Sequence, residues 1–372
     1  MITVGIIAEY NPFHMGHLRQ IEAIRRAFDT DVTVVSLMSG NFVERGEFAI
    51  LPKEYRARVA LSEGSDLVLE YPYPWSGACA EVFASGGVSL LTALGVDYIS
   101  FGSESGDFSR LEREAERLLS EPFEAALAEA IRLDAKTPYA VKRGEVYVSL
   151  FGESLSESAN DILATAYLVA MKRQKSPLKP LVIKREGRES ATASRAAYRA
   201  QNYDELNNIV PQYSYETMKN QQAVSLNRLS DAVLMFLRLA SPRDFEDVAE
   251  LTDDLCYRIL SAAKKAATLD ELLVAVASKS YTNARIRRVI LSMLLGVKKE
   301  RPAQAPAFTR LLAANEKGRA FLDRHPFAIL TRAGDAKRYG DTVEEQVAFA
   351  DRADTIYRMA DKNPEIHKPF IL

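Results

Sequence analysis

"GIIAEYNPFHMGHLRQIEAIRRAF", residues 5 to 28, sets two periodicities side by side. Up to Tyr10 the run is short and apolar, as a strand buried on both faces of a parallel sheet requires. After His17, the residues Leu18, Ile21, Ile24 and Phe28 recur at helical spacing and form one apolar stripe. Between strand and helix lies the turn "NPFHMGH", which carries His14 and His17 around Gly16. The chain holds only 4 histidines in 372 residues, so this pair asks for a chemical reason.

The start of a helix supplies one. The first amides of a helix lack carbonyl partners and carry partial positive charge, which makes that end a phosphate site. Gly16 removes a side chain where a nucleotide would have to approach the backbone. Two imidazole donors there would stabilise charge building on an α-phosphate while pyrophosphate leaves, with neither ring acting as nucleophile. A zinc pair and incidental helix capping compete with this reading. No further histidine or cysteine is nearby and Glu9 is the only local carboxylate, so phosphate is favoured.

Working outward, short apolar runs at 3–10, 31–37, 65–71, 96–101 and 179–185 alternate with helical patterns. That order predicts an α/β fold: a doubly wound, five-stranded parallel sheet of Rossmann-like type, with ligands beyond the carboxyl ends of the strands. The segment 106–175 reads as a helical insertion into a nucleotide-binding domain spanning 1–201. From 202 the strand signal nearly vanishes, which predicts a second, mainly α-helical domain over 202–372.

Composition excludes several classes. A net charge of −2 with 26% charged residues argues against a globally basic nucleic-acid coat, while leaving room for a local basic face. Cys79 and Cys256 are the only cysteines, so neither a disulfide framework nor a CxxC knuckle is expected, as in a reduced, cytoplasmic protein. The first residues lack a basic n-region, and no run approaches the ~18 apolar residues of a membrane span. One basic face does occur. In "KSYTNARIRRVILSMLLGVKKE" (279–300) six basic residues stand against one acidic. Ile286, Val289, Ile290, Met293, Leu294 and Val297 form the apolar stripe, which leaves Arg285, Arg287 and Arg288 off it. With Tyr281 at the helix start, this face suits an RNA backbone and a stacked base. A merely solvated helix face is the competing reading.

The turn "NPFHMGH" carries the H-x-G-H signature of the nucleotidyltransferase superfamily, and "SATASR" (190–195) resembles its second, a Ser/Thr-rich turn ending in arginine. Between these, "MSGNFVERGEFAI", "LVLEYPYPW", "FASGGVSLLTALGVDYISFGSE", "NDIL" and "VIKRE" resemble the tRNA(Met) cytidine acetate ligases, as do "SKSYTNARIRRVILSMLLGV" and "DRADTIYRMA" further on. The resemblance implies ATP-dependent activation of acetate to acetyl-adenylate and acetylation of the wobble cytidine of elongator tRNA(Met). It implies that ATP is held by the loop Ile7, Ala8, Glu9, Tyr10, Asn11, Pro12, Phe13, His14, Gly16, His17 and Gln20, and by Gly102, Asn160 and Arg185. His14, His17, Thr192 and Arg195 would be catalytic, and Tyr281, Arg285, Arg287 and Arg288 would meet tRNA. Mg²⁺ would balance the triphosphate charge, although no carboxylate cluster marks a protein-built cage.

The chain also departs from the family pattern. "REGRESATASR" is short, Ala159, Asn160 and Asp161 replace Pro-Asn-Asn, and Glu44 stands where glutamine is usual, with Arg45 its expected partner. These changes fall on the acyl and tRNA side, which leaves two alternatives open. One is an adenylyltransferase of cofactor biosynthesis acting on a phosphorylated small molecule; the other is a nucleotide- or RNA-binding paralogue without catalysis.

Overall fold

The computed structural model describes residues 2–134, 137–187, 189–322, 327–366 and 368–372. Its strands are β1 (Ile2–Ala8), β2 (Val32–Ser39), β3 (Phe42–Val43), β4 (Glu47–Phe48), β5 (Leu67–Tyr71), β6 (Tyr98–Ser103), β7 (Lys179–Lys184), β8 (Thr309–Ala314), β9 (Ile329–Leu330) and β10 (Phe370–Ile371). The helices of the first half are α1 (Met15–Arg26), α2 (Lys53–Ser62), α3 (Ala80–Ala93), α4 (Phe108–Leu118), α5 (Glu121–Leu133), α6 (Tyr139–Phe151), α7 (Ala159–Gln174) and α8 (Ala191–Arg199). Those of the second half are α9 (Tyr203–Ile209), α10 (Gln212–Lys219), α11 (Ser230–Leu239), α12 (Asp253–Ala263), α13 (Leu269–Val276), α14 (Asn283–Leu295), α15 (Glu300–Ala303), α16 (Glu316–Leu322) and α17 (Asp341–Ala360).

The five expected strands pair in parallel in the order β5-β2-β1-β6-β7. The chain runs from β1 outward through β2 to β5, then returns to the other side of β1 for β6. Strand order therefore reverses between β1 and β6, and in such sheets the crevice beyond that reversal is where ligands bind. Both faces are covered, which is why the strands read as unbroken apolar runs. Val4, Ile6 and Val34 pack with Ile21, Ile24 and Ala57 on one face; Val35, Leu37 and Leu69 pack with Phe83, Leu91 and Leu168 on the other. The expected insertion is the four-helix run α4 to α7.

The sheet is wider than five strands. Thr309–Ala314, expected within the helical half, returns as β8 and pairs antiparallel with β5, while β9 and β10 join β8. The division at residue 201 is thus crossed by the chain. The reason is an edge: without β8, the fully buried β5 would present unpaired backbone groups. The helical half has its own core, in which Val233, Ile259, Leu272, Val289 and Ile290 surround Phe42 and Phe48 of the β3–β4 hairpin. Gly46 makes that insertion possible. It adopts φ +69°, and a Cβ there would collide with the backbone nitrogen of Arg288, so the hairpin backbone rests directly on α14.

A buried ion cluster joins the halves. Lys53 of α2 meets Glu70 of β5 at 2.7 Å and Asp354 of α17, while Arg310 of β8 reaches Glu70 at 3.4 Å and Asp351 at 2.6 Å. Asn41 donates to the second Asp354 oxygen at 2.9 Å. No helix among the described residues is long and apolar enough to cross a membrane.

Candidate active site

The site is built from the turn after β1. Tyr10 adopts φ 45°, the left-handed region that a non-glycine residue occupies only when its surroundings hold it there. Its ring is buried and its hydroxyl bonds Ser36 at 2.9 Å. Asn11 is anchored on both groups: its Oδ1 accepts from the Ile50 amide at 2.7 Å and its carbonyl from Arg195 Nη1 at 2.8 Å. Ser214 donates to the Phe13 carbonyl at 2.9 Å. The turn is thus fixed before α1 begins.

His14 is the N-cap of α1, one turn earlier than the first apolar residue suggests. Its Nδ1 accepts from the Gly16 amide at 3.1 Å, and His17 Nδ1 accepts from the His14 amide at 3.2 Å. Capping and function are therefore not alternatives here. With Nδ1 accepting, the one proton of each neutral ring sits on Nε2, so the cap sets the tautomer and makes Nε2 a donor. The rings stack with centroids 3.8 Å apart, and Tyr10 meets the edge of His17 at 4.9 Å. Burial, helped by Arg185, pushes the His14 pKa down to about 3. Burial, His14 and Arg185 push His17 well below its ordinary value. Both rings are neutral donors, not proton carriers, at neutral pH.

Other expected residues converge on the same rim. The side chain of Arg185, after β7, lies against Gly102 at the end of β6; its Nη2 would be 3.9 Å from a Cβ on Gly16. Thr192 and Arg195 lie on α8, capped by Ser190, with Arg195 Nη2 3.4 Å from Thr192 Oγ1. Gln20 Nε2 reaches the Ser100 carbonyl at 3.4 Å. Ile7 and Ala8 are the last residues of β1, with Ile7 against the backbone of Gly87 on α3. Pro12 follows Asn11 in the fixed turn. Asn160 lies inside α7, where Ser158 is the cap, and donates to Glu104. Asp161, the neighbouring departure from the family pattern, accepts from Ser103 Oγ and from the Glu104 amide at 3.0 Å, which shapes the turn after Gly102.

Three features escaped sequence reasoning. Arg56, 1% exposed, donates to the carbonyls of Leu51, Glu9, Ser39 and Gly40, stapling the loops after β1 and β2 together. In "PKEYRARVAL" nothing distinguishes it from a solvated helix residue. Glu44 pairs with Arg288 more than with Arg45: its amide donates to Glu9 Oε1 at 2.8 Å, and its carboxylate lies 3.6 Å from Arg288, with the Arg45 charge a smaller influence. Burial and the neighbouring Glu9 raise the Glu44 pKa to about 7. Burial also raises that of Glu9, against the Glu44 amide and Arg195.

The third feature corrects the basic face. Arg288 is buried, not off the apolar stripe, and makes a two-pronged contact with Glu250 (Nε–Oε1 2.8 Å, Nη2–Oε2 2.8 Å). α14 packs against the hairpin as well as against its own bundle, so it has a second inner face that apolar periodicity does not reveal. Arg287 pairs with Glu47 at 2.8 Å, and Arg285 lies over the Tyr281 ring at 5.2 Å. Arg285 and Arg287 keep partial exposure.

A pH prediction follows from these shifts. With His14 and His17 neutral, the activity profile should show no histidine inflection near pH 6.5. An inflection near pH 7 should instead come from Glu44 and vanish in Glu44→Gln. Stability should be lost as pH falls from 6.5 toward 3, because the unfolded imidazoles take up protons that the folded ones refuse. Glu44 acts oppositely, costing stability as pH rises from 4.5 to about 7. Activity and denaturation profiles of the unaltered chain and Glu44→Gln would check both; an inflection unchanged by the substitution would assign it elsewhere.

The HIGH Nucleotidyl Transferase family profile matches residues 1–369. The tRNA(Met) cytidine acetate ligase of Thermoanaerobacter sp. (strain X514) is 34% identical, covering 98% of this chain and 97% of that protein. That of Caldanaerobacter subterraneus subsp. tengcongensis is 34% identical over 99% and 98%. The chain belongs to the tRNA(Met) cytidine acetate ligase family. Thermotoga maritima TmcAL bound with alpha-thio ATP superposes with a TM-score of 0.92 at 29% identity over the whole of both chains. Membership in this ligase family fits the crevice at the β1/β6 reversal, on which the H-x-G-H turn, Gly102 and Arg185 converge. No group of three or more His, Cys, Asp or Glu among the described residues could hold a metal ion. Glu9 at the turn and Glu44 of the hairpin are both drawn toward protonation by burial, and the Glu9 carboxylate already accepts from the Glu44 amide. They do not suit a Mg²⁺ cage.

Proposed function

We propose that the chain activates acetate with ATP and acetylates the wobble cytidine of a tRNA(Met). The observation that carries this reading is the α1 N-terminus, where two neutral imidazoles with Nδ1 engaged supply two Nε2–H donors beside Arg185. A triphosphate laid there has its α-phosphate between donors that are fixed in advance and stay uncharged at neutral pH. Acetate oxygen attacks the α-phosphorus, the bond to the bridging oxygen breaks, and pyrophosphate leaves with charge met by Arg185 and Arg195. The cytidine N4 then attacks the acetyl carbonyl carbon; the acyl–oxygen bond breaks, AMP leaves, and N4 loses a proton.

Support comes from the relatives' activity, from the ATP analogue on the superposed structure, and from the partial exposure of Arg285, Arg287 and Tyr281, two cations and a ring that suit an RNA strand. Arg288 positions the hairpin and does not contact RNA in this scheme. The two cysteines and a tRNA substrate suit the cytoplasm. The test is exchange of labelled pyrophosphate into ATP, with mass spectrometry of tRNA products. Exchange that requires acetate, and acetyl-cytidine formed on tRNA(Met), is expected. Exchange supported by a phosphorylated small molecule instead of a carboxylate would overturn the reading.

A further inference from the structure

A cavity of about 420 Å³ opens beside the ATP crevice, between the β3–β4 hairpin, α8, α13 and α14. Its floor is apolar, formed by buried Phe48, Val224, Leu226, Leu273 and Ile290. Its mouth is polar, ringed by exposed Arg199, Asn227 and Asp270. A small apolar slot with a few convergent polar groups is the general form of a site for a planar organic ligand, and this volume lies within the usual range of roughly 300–1,000 Å³.

The polar groups narrow the ligand. Asn227 Nδ2 donates to Asp270 Oδ2 at 2.7 Å, so a carboxylate and an amide stand together at one edge, able to accept from an exocyclic amine and to meet a ring carbonyl. Arg287, held by Glu47 at 2.8 Å, lines one wall. Arg199 also belongs to the lining and makes no ion pair or hydrogen bond with any described residue beyond its own helix. An apolar slot for a base face, an amide and carboxylate for its edge, and cations for the flanking phosphates together describe an unstacked nucleotide of a single-stranded RNA segment.

Position connects this slot to the reaction. Thr192, Arg195 and Arg199 follow one another at helical spacing on a single stripe of α8, and four residues of helix advance about 6 Å. Arg195 bonds the ATP-side turn at Asn11, while its charge is felt by Arg199 and by Glu47 of the cavity wall. The slot thus begins one helical turn from the crevice. We infer that this cavity binds an extruded nucleotide of the RNA acceptor, holding the chain so that its reactive base reaches the acyl-adenylate. This rests on the acetyl-transfer reading above.

The experiment compares the unaltered full-length chain with Arg199→Glu, a surface change, and Leu273→Trp, which fills the slot. Anticodon-arm RNA and cytidine 5′-monophosphate are titrated by fluorescence anisotropy and competition, and acetate-dependent pyrophosphate exchange is measured in parallel. Both substitutions should weaken RNA binding by about tenfold or more while leaving exchange within twofold, as expected for loss of one base and one phosphate contact. If Leu273→Trp fails to fold, Arg199→Glu alone decides. Unchanged RNA affinity in the folded variants would overturn the inference. So would cytidine monophosphate binding as tightly as RNA, which would assign the slot to a free nucleotide. Absence of exchange in the unaltered chain strikes the activation reading instead; the RNA titration still reports on the slot.

Discussion

Replacing His17 with alanine is expected to reduce acetate-dependent pyrophosphate exchange by about 10²–10³-fold with the fold retained, the range found when one preorganised donor to a developing negative charge is removed. The loss should fall on turnover, because a donor aimed at the charge of the transition state contributes less to the ground state. Two further consequences distinguish this from simple misfolding. His17 Nδ1 accepts from the His14 amide, so the alanine also unties one end of the cap and should lower stability by about 1 kcal/mol. Asparagine at position 17 could keep an acceptor for that amide while lacking a donor in the place of Nε2; it should recover stability more than activity. Equal rates for the histidine and alanine forms would remove the imidazole from the chemistry.

The second large effect concerns the joint between the two halves. Asp354→Ala should destabilise the protein by about 3–5 kcal/mol, because it leaves Lys53 and Arg310 buried with part of their counter-charge gone. Although burial opposes it, Lys53 and Arg310 hold the Asp354 carboxyl below its ordinary value of 3.8. Its contribution is therefore complete above that value and is lost as pH falls through the lower, folded value. A urea midpoint that drops sharply at neutral pH, with the deficit shrinking in acid, is the expected result. A deficit of less than ~0.5 kcal/mol, the size of an exposed substitution, would mean that the cluster does not fasten the halves. Since α17 also fixes Asn41, and Tyr357 donates to the Ala49 carbonyl at 2.9 Å, the same variant should loosen the hairpin that borders the proposed RNA slot.

What was legible in the sequence was what local periodicity can carry. The five parallel strands, the α1 boundary to within one turn, and the place of His14 and His17 beyond β1 follow from alternation of strand and helix, whereas Gly102, Arg185 and Arg195 are identifiable only through the resemblance to the ligase family. What was not legible depends on pairing across long separations. "TRLLAA" (309–314) becomes a strand because β5 needs an edge partner more than 230 positions earlier in the chain, as with Thr309 and Glu70. Lys53 and Asp354 meet across 301 positions. Arg288 looked solvated because helical spacing identifies one buried face and α14 has two. Glu44 could be marked as unusual, but its ion-pair partner is Arg288 of α14, with the adjacent Arg45 a smaller influence, a fact only the hairpin's insertion creates.

In the proposed reaction two neutral imidazoles, held by Nδ1 in the cap of α1, present Nε2–H to the α-phosphate. Nitrogen-15 NMR of labelled histidine, read for His14 and His17 across pH 5 to 8 with and without an α-thio nucleotide, tests it most directly. Both rings should remain neutral with the proton on Nε2 throughout, and both Nε2 signals should shift when nucleotide binds. Rings that titrate near pH 6.5, or Nε2 signals indifferent to nucleotide, would contradict it.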